Sequence, residues 1–377
     1  MNEPAPERWR RVLCTCLSGI GDALTATPFL RELKKARPEL RIDVLTMFEA
    51  ARELFERNED VSEVFHIDFL GQSSFASFRE TLRLRRNRYD AVVATLPANR
   101  AEYNLIQVLT GGRRLGHRYV HGDRANLNFL RRSAVREDES LHVVENNLAL
   151  LPLFGVAVPS EAPALRFPLA PEDERFAEEW MGATCAAGRR AIGFHAGTAR
   201  FKNHVNRRWE PEKFAELARR LTDEEGAEVL IFGGPDETEL KRRIRSLAGR
   251  DAAVRCVDGV TLRQSAALIA RCSLFVSNDS ALMHVASAMS TPVVAVFAYT
   301  NPTFVHPWKV PHRIVRKALP CSPCFYYSPK PARCAAGRDF ECRRAVGVDE
   351  VFAACRSLSA ETSGSPATPS EGGGVSP

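Results

Sequence analysis

Short, nearly uninterrupted apolar runs alternate with longer amphipathic segments along this chain, and the alternation occurs twice. A strand that is apolar on both faces has to be covered on both, and a parallel sheet packed between helices provides that cover. In the first half, residues 12–17 read as such a strand, followed by a glycine turn and a helix over 22–36 that Pro38 stops. Strands at 42–46, 61–67 and 91–96 follow, with helices near 49–57, 75–87, 101–109 and 142–154. The second half restarts with a strand at 191–195 and continues with strands at 229–232, 274–276 and 293–297. Its helices fall at 211–222, 237–248, 262–270 and 280–289.

Pro152, Pro159, Pro163, Pro168 and Pro171 separate the halves, because so many prolines continue neither a helix nor a central strand. The expected organisation is an N-terminal domain over 1–158, a proline-rich linker and connecting helix over 159–190, and a C-terminal domain over 191–356. The Ser-, Gly- and Pro-rich segment 357–377 is expected to be a disordered tail. The fold class is α/β, with two parallel sheets facing each other across a cleft.

Three loops at predicted strand ends carry polar groups suited to chemistry, since open α/β sheets bind ligands outside the carboxyl ends of their strands. The first is Ser18-Gly19-Ile20-Gly21-Asp22, where Gly19 and Gly21 permit close backbone approach. Asp22 reads either as a helix N-cap or as a general base, being ionised at neutral pH and able to take a proton from an attacking hydroxyl. The second runs from His195 through Thr198 and Lys202 to Arg207, Arg208 and Trp209, a hydroxyl and several cations suited to phosphate. Its companion, Pro235-Asp236-Glu237, offers Glu237 for ribose hydroxyls. The third is Ser277-Asn278-Asp279-Ser280-Ala281-Leu282-Met283-His284. Asp279 would repel phosphate, so it is expected to cap the helix or bind sugar hydroxyls. Ser280 and His284 share one helix face, where His284 serves the site or packs in the core.

Taken in order, Gly19-Ile20-Gly21-Asp22 with Thr27-Pro28, the run from His195 to Phe214, and Asn278 to His284 resemble the glycosyltransferase family 9 heptosyltransferases. These enzymes transfer heptose from ADP-heptose to the lipopolysaccharide core. The resemblance covers about residues 12–355. It implies the GT-B fold of two Rossmann-like domains, an acceptor site in the first half and an ADP-sugar site in the second. It also implies inversion at the anomeric carbon without a catalytic metal, and Asp22 as the base. Thr198, Glu237, Asp279, Ser280 and His284 would surround the donor, with Arg207 or Lys202 as the cation on the diphosphate. The chain has Ser280-Ala281 where the family often has Thr-Gly. The acceptor is expected to be a lipopolysaccharide core sugar, with a protein acceptor or a non-catalytic nucleotide-sugar-binding module as alternatives.

Ten cysteines include four that crowd together, Cys321, Cys324, Cys334 and Cys342. In a cytosolic chain this spacing suggests a structural zinc or iron site, with reduced thiols as the alternative. Fifty-two Lys and Arg against forty-six Asp and Glu give a net charge of +6, scattered without the aromatic interleaving of nucleic-acid binders, so no nucleic-acid partner is expected. No stretch is long and apolar enough to span a bilayer. The expected location is cytoplasmic, with peripheral association at the inner face of the membrane through residues such as Lys34, Lys35, Arg83, Arg85 and Arg86.

Overall fold

The apolar runs pair with one another as their two-faced character requires. A computed structural model describes residues 5–199, 201–250, 253–326 and 330–363, except for the side chains of 201, 202 and 363. The first half contributes β1 (Arg11–Cys16), α1 (Ile20–Thr25), α2 (Thr27–Ala36), β2 (Arg41–Thr46), α3 (Glu49–Glu56), β3 (Glu63–His66) and α4 (Ser74–Leu84). It continues with β4 (Ala91–Ala94), α5 (Ala101–Thr110), β5 (Arg113–Arg118), β6 (Ser133–Arg136) and α6 (Val143–Leu148). After the proline-rich stretch comes α7 (Pro171–Thr184). The second half contains β7 (Ala191–His195), α8 (Pro211–Glu225), β8 (Glu228–Ile231), α9 (Thr238–Ala248), β9 (Val254–Cys256), α10 (Leu262–Ala270) and β10 (Leu274–Asn278). Then follow α11 (Ala281–Ala288), β11 (Val293–Val296), α12 (Pro302–Val305), β12 (His312–Val315), α13 (Glu341–Arg344) and α14 (Val348–Ser363).

Both sheets are six-stranded and parallel, in the orders β3-β2-β1-β4-β5-β6 and β12-β11-β10-β7-β8-β9. Renumbered from its own first strand, the second has the same 3-2-1-4-5-6 order as the first. This is the doubly wound Rossmann arrangement, whose strand order reverses between β1 and β4 and again between β7 and β10. Leu13, Leu45, Val92 and Ile106 lie under one face of the first sheet, beneath α4 and α5. Ile192, Phe194, Trp209 and Leu217 fill the corresponding layer of the second. The largest core crosses between the halves and holds residues from both sheets, among them Leu24, Phe29, Phe154, Phe275 and Met283. α7 packs on α10.

The expected helix over 22–36 is two helices. Pro28 has no N–H to give to the Leu24 carbonyl, and the Thr27 hydroxyl takes that carbonyl instead at 2.7 Å. The last helix of the first half is also shorter than expected, ending at Leu148 before a single-turn segment at Leu151–Phe154 that contains Pro152. At the C-terminus, α14 runs through Ser363, so the disordered tail does not begin at 357. Leu358 is fully buried there beside Phe352 and Val351, and residues 364–377 lie outside the described residues. Among the described residues no helix is long and apolar enough to cross a membrane.

Candidate active site between the two sheets

The reversal points of the two sheets face each other, and the loops leaving them form the walls of one cavity of about 520 Å³. From the first sheet, β1 leads through Leu17 and Ser18 into α1. Gly19, rather than Asp22, is the N-cap residue of α1, and Asp22 sits in its first turn at the cavity wall, so the capping reading of Asp22 does not hold. Gly21 faces α11 of the second half. A methyl group there would come within 3.1 Å of the Ala281 Cα and of the His284 ring, so a larger residue would push the two helices apart by a few tenths of an ångström.

The second wall begins at the end of β7. His195 Nε2 lies 3.0 Å from Glu237 and its Nδ1 lies 2.7 Å from the Ser280 hydroxyl. Arg208 donates to the Thr198 carbonyl at 2.6 Å, to the Thr198 hydroxyl at 3.2 Å and to Glu237 at 3.3 Å. Burial opposes ionisation of Glu237, yet the His195 and Arg208 partners hold its carboxyl below the usual range. Two glycines vacate the space it fills. A side chain on Gly197 would collide with the Glu237 carboxylate, and one on Gly233, at φ +153°, would come within 2.7 Å of it. Glu237 stands behind the Thr198 loop, held by His195 and Arg208, and does not itself line the cavity.

Arg207 donates to the Asp279 carboxylate at 3.0 Å and lies 3.1 Å from His204 Nδ1. Its guanidinium also stands 5.2 Å from the Phe325 ring centroid and 5.8 Å from that of Tyr299. Asp279 thus pairs with arginine instead of capping the helix, and Ser280 occupies the N-cap position of α11. The Ser280 hydroxyl is turned to His195 and to Ser277, 2.9 Å away, so it does not cap the helix N–H groups. Asn278 joins the two loops, donating to the Ala196 carbonyl at 2.8 Å and accepting the Trp209 N–H at 2.9 Å. His284 lines the cavity, and burial lowers its pKa to about 4, leaving it neutral at pH 7. Its buried Nδ1 has no hydrogen-bond partner among the described residues.

Of the expected site residues, Gly19, Gly21, Asp22, Thr198, Arg207, Asp279, Ser280 and His284 line this single cavity. The Lys202 side chain lies outside the described residues. Sequence reasoning missed most of the wall on the side of the first sheet, where Asn99, Tyr103, His121, Glu137 and Glu139 stand. Asn99 follows β4, His121 follows β5 and Glu137 follows β6; the rule about strand ends already pointed to Asn99 and would have found the other two had β5 and β6 been recognised. Tyr103 donates to the Leu17 carbonyl at 2.8 Å, and burial raises its pKa to about 12. The buried Glu137 carboxyl accepts the Val120 N–H at 3.2 Å, and desolvation raises its pKa to about 7.

The four clustered cysteines share a second, small cavity of about 40 Å³. Cys334 is held below the ordinary thiol range by the backbone N–H groups of Phe340, Arg338 and Ala336, while burial raises Cys324 and Cys342. Among the described residues, however, no group of three or more His, Cys, Asp or Glu side chains is gathered to hold a metal. The structure therefore does not show the expected zinc or iron site. The loop instead presents Phe325 and Tyr326 to the larger cavity, with the Tyr326 ring 4.4 Å from that of His121.

A sequence model described as glycosyltransferase family 9 (heptosyltransferase) matches residues 77–332. Lipopolysaccharide heptosyltransferase 2 of Escherichia coli (strain K12) is 29% identical over 317 residues, covering 81% of this chain and 88% of that protein. Lipopolysaccharide heptosyltransferase 3 of Escherichia coli is 27% identical over 296 residues, 76% of this chain and 83% of the relative. Among solved structures, a glycosyl transferase family 9 protein from Veillonella parvula DSM 2008 superposes with a TM-score of 0.77 at 22% identity, covering 96% of this chain and 99% of its own. The E. coli ADP-heptose lps heptosyltransferase II does so with a TM-score of 0.71, also at 22% identity, over 94% of this chain and 99% of its own. At such identities the superpositions speak to the fold.

Proposed function

The chain belongs to glycosyltransferase family 9 and is a glycosyltransferase, and from that premise we propose that it transfers heptose from ADP-heptose to a lipopolysaccharide core acceptor with inversion. The observation that carries this reading is the placement of Asp22 from the first sheet and Arg207, Asp279, Ser280 and His284 from the second around one cavity. The acceptor binds on the side of β4, β5 and β6. Its hydroxyl oxygen attacks the anomeric carbon as the bond from that carbon to the diphosphate oxygen breaks on the opposite face. Asp22 takes the hydroxyl proton, and ADP departs with the bonding electron pair. Charge on the departing diphosphate is met by the Arg207 guanidinium and by the N–H groups that open α11, groups already oriented before the reaction. Neutral His284 and the paired Asp279 are placed to meet hydroxyl groups of the donor sugar. Such an acceptor brings the enzyme to the inner face of the cytoplasmic membrane.

Asp22→Asn tests the assignment, since it keeps the shape and removes the base. Turnover of ADP-heptose with a lipopolysaccharide core acceptor is expected to fall by about 10²–10⁴-fold. Calorimetric titration with ADP-heptose is expected to give the wild-type affinity. Near-normal turnover would remove Asp22 from the role of base. Preference for UDP-glucose, GDP-mannose or NAD over ADP-heptose in the same titration would overturn the donor.

A further inference from the structure

An amphipathic helix ordinarily turns its apolar side inward, and α4 does the reverse. It buries Ser77, Thr81 and Leu84 against the first sheet and exposes Phe75, Phe78 and Leu82, with Phe75 73% accessible. Phe75, Phe78 and Leu82 are spaced i, i+3 and i+7, so they form one outward stripe. The neighbouring α5 adds Leu105 and Val108, both exposed. Isolated apolar side chains on a surface are ordinary, but five on the outer faces of two adjacent helices are not.

Positive charge gathers beside the stripe. Arg79, Arg83, Arg85, Arg86 and Arg88 are all exposed within and just after α4. Some surface arginines are neutralised by carboxylates, as Arg52 is by Glu49 and Glu56, Arg219 by Glu216 and Arg220 by Glu224. Among the described residues, none of these five guanidinium groups has an ion-pair partner. A patch of exposed aromatic and aliphatic side chains bordered by unpaired arginines is chemically complementary to an anionic lipid surface. There apolar groups enter the acyl boundary while guanidinium groups meet phosphate. The patch also leads to the reaction site. Leu70, in the connection from β3 to α4, is 71% accessible and at the same time lines the cavity.

We propose that the outer face of α4 and α5 docks the enzyme on an anionic phospholipid bilayer and sets the cavity mouth against it, so that a lipid-anchored acceptor enters past Leu70. Delivery of the acceptor rests on the lipopolysaccharide reading above, whereas the docking step is measured without it. A second copy of the chain is a poorer occupant, because pairing this face with itself would bring two clusters of five unpaired arginines together.

The test is sedimentation of the full chain with vesicles of phosphatidylcholine alone or of phosphatidylcholine with about one-third phosphatidylglycerol. The wild type is expected to bind the anionic vesicles at least roughly tenfold more tightly, with the preference weakening as salt is raised. Phe75→Asp with Phe78→Asp, and separately Arg79→Gln with Arg83→Gln, are each expected to weaken that binding about tenfold or more. Turnover of a delipidated core-oligosaccharide acceptor should be unchanged in both variants, while the advantage for a vesicle-embedded acceptor is lost. Phe75→Ser with Phe78→Ser guards against a folding defect specific to the aspartates. Equal binding of wild type and variants, or no preference for anionic vesicles, would overturn the proposal. So would a concentration-dependent dimer that the same substitutions abolish. Absence of heptosyl transfer with vesicle binding intact would count against the acceptor reading instead.

Discussion

At the residue scale, Glu237 shows how a position beside the cavity is built from contacts distant in sequence. Its place after β8 was legible, because a strand followed by Pro235-Asp236-Glu237 repeats the loop geometry of the other strand ends. Its surroundings were not, because the groups that hold the carboxylate are His195 and Arg208, and the room for it is left by Gly197 and Gly233. No local pattern pairs a glycine after one strand with a glutamate after the next. Gly197→Ala should therefore displace the carboxylate and break its contacts to His195 and Arg208. The expected loss is about 1–3 kcal/mol, read as a lower denaturant midpoint of the C-terminal half. A midpoint equal to that of the wild type would mean that the loop shifts freely and that the cradle is not a constraint.

At the element scale, the strands that were legible are those made of apolar runs. β5 escaped because Arg113-Arg114-Leu115-Gly116-His117-Arg118 has no such run, although it lies between β4 and β6. It is accommodated by the buried Arg131, which donates to the His117 carbonyl and, at 2.9 Å, to that of Ala98. Gly116 leaves space for that guanidinium. The wall on the side of the first sheet depends on these strands, which is why it was the less legible half of the site. The C-terminus failed for the opposite reason. Composition marked 357–377 as a tail, but Ser, Ala and Thr do not break a helix, and Leu358 supplies a buried anchor. Leu358→Ala is expected to cost about 2–5 kcal/mol, seen as a lower unfolding midpoint, and a chain ending at Arg356 should lose at least as much. An unchanged midpoint in both would place the end of the folded chain before Leu358.

At the scale of the whole molecule, the repeated strand order and the cleft were legible because two rounds of the same alternation admit few other architectures. Titration was not, because it depends on burial. His117 and His284 are lowered to about 4 and His142 to about 2, each chiefly by burial. Between their ordinary value of 6.5 and these lowered values the unfolded chain binds protons that the folded chain refuses. Their contribution to stability is therefore lost as pH falls through that window. Glu137 acts in the other direction. Its pKa rises from 4.5 to about 7, so the folded state holds the extra proton and loses stability as pH rises through that interval. Glu137→Gln keeps an acceptor for the Val120 N–H and removes the charge. Relative to the wild type, its unfolding free energy from denaturant titration should be raised at pH 8 by roughly 3 kcal/mol more than at pH 4.5. A difference between the two proteins that does not vary with pH would place the Glu137 carboxyl in water rather than in the wall.

The contact between Gly21 and the first turn of α11 constrains any relative motion of the two halves. A rotation of one half against the other about an axis through this contact would displace atoms in proportion to their distance from that axis. Asp22 adjoins Gly21, and Asp279 stands two residues before Ala281, so both lie close to that axis. Swinging the halves apart would then carry the outlying wall residues a long way while Asp22 and the arginine-paired Asp279 scarcely separate. Such a motion would change the width of the cleft far from this contact and leave the two walls beside it in register.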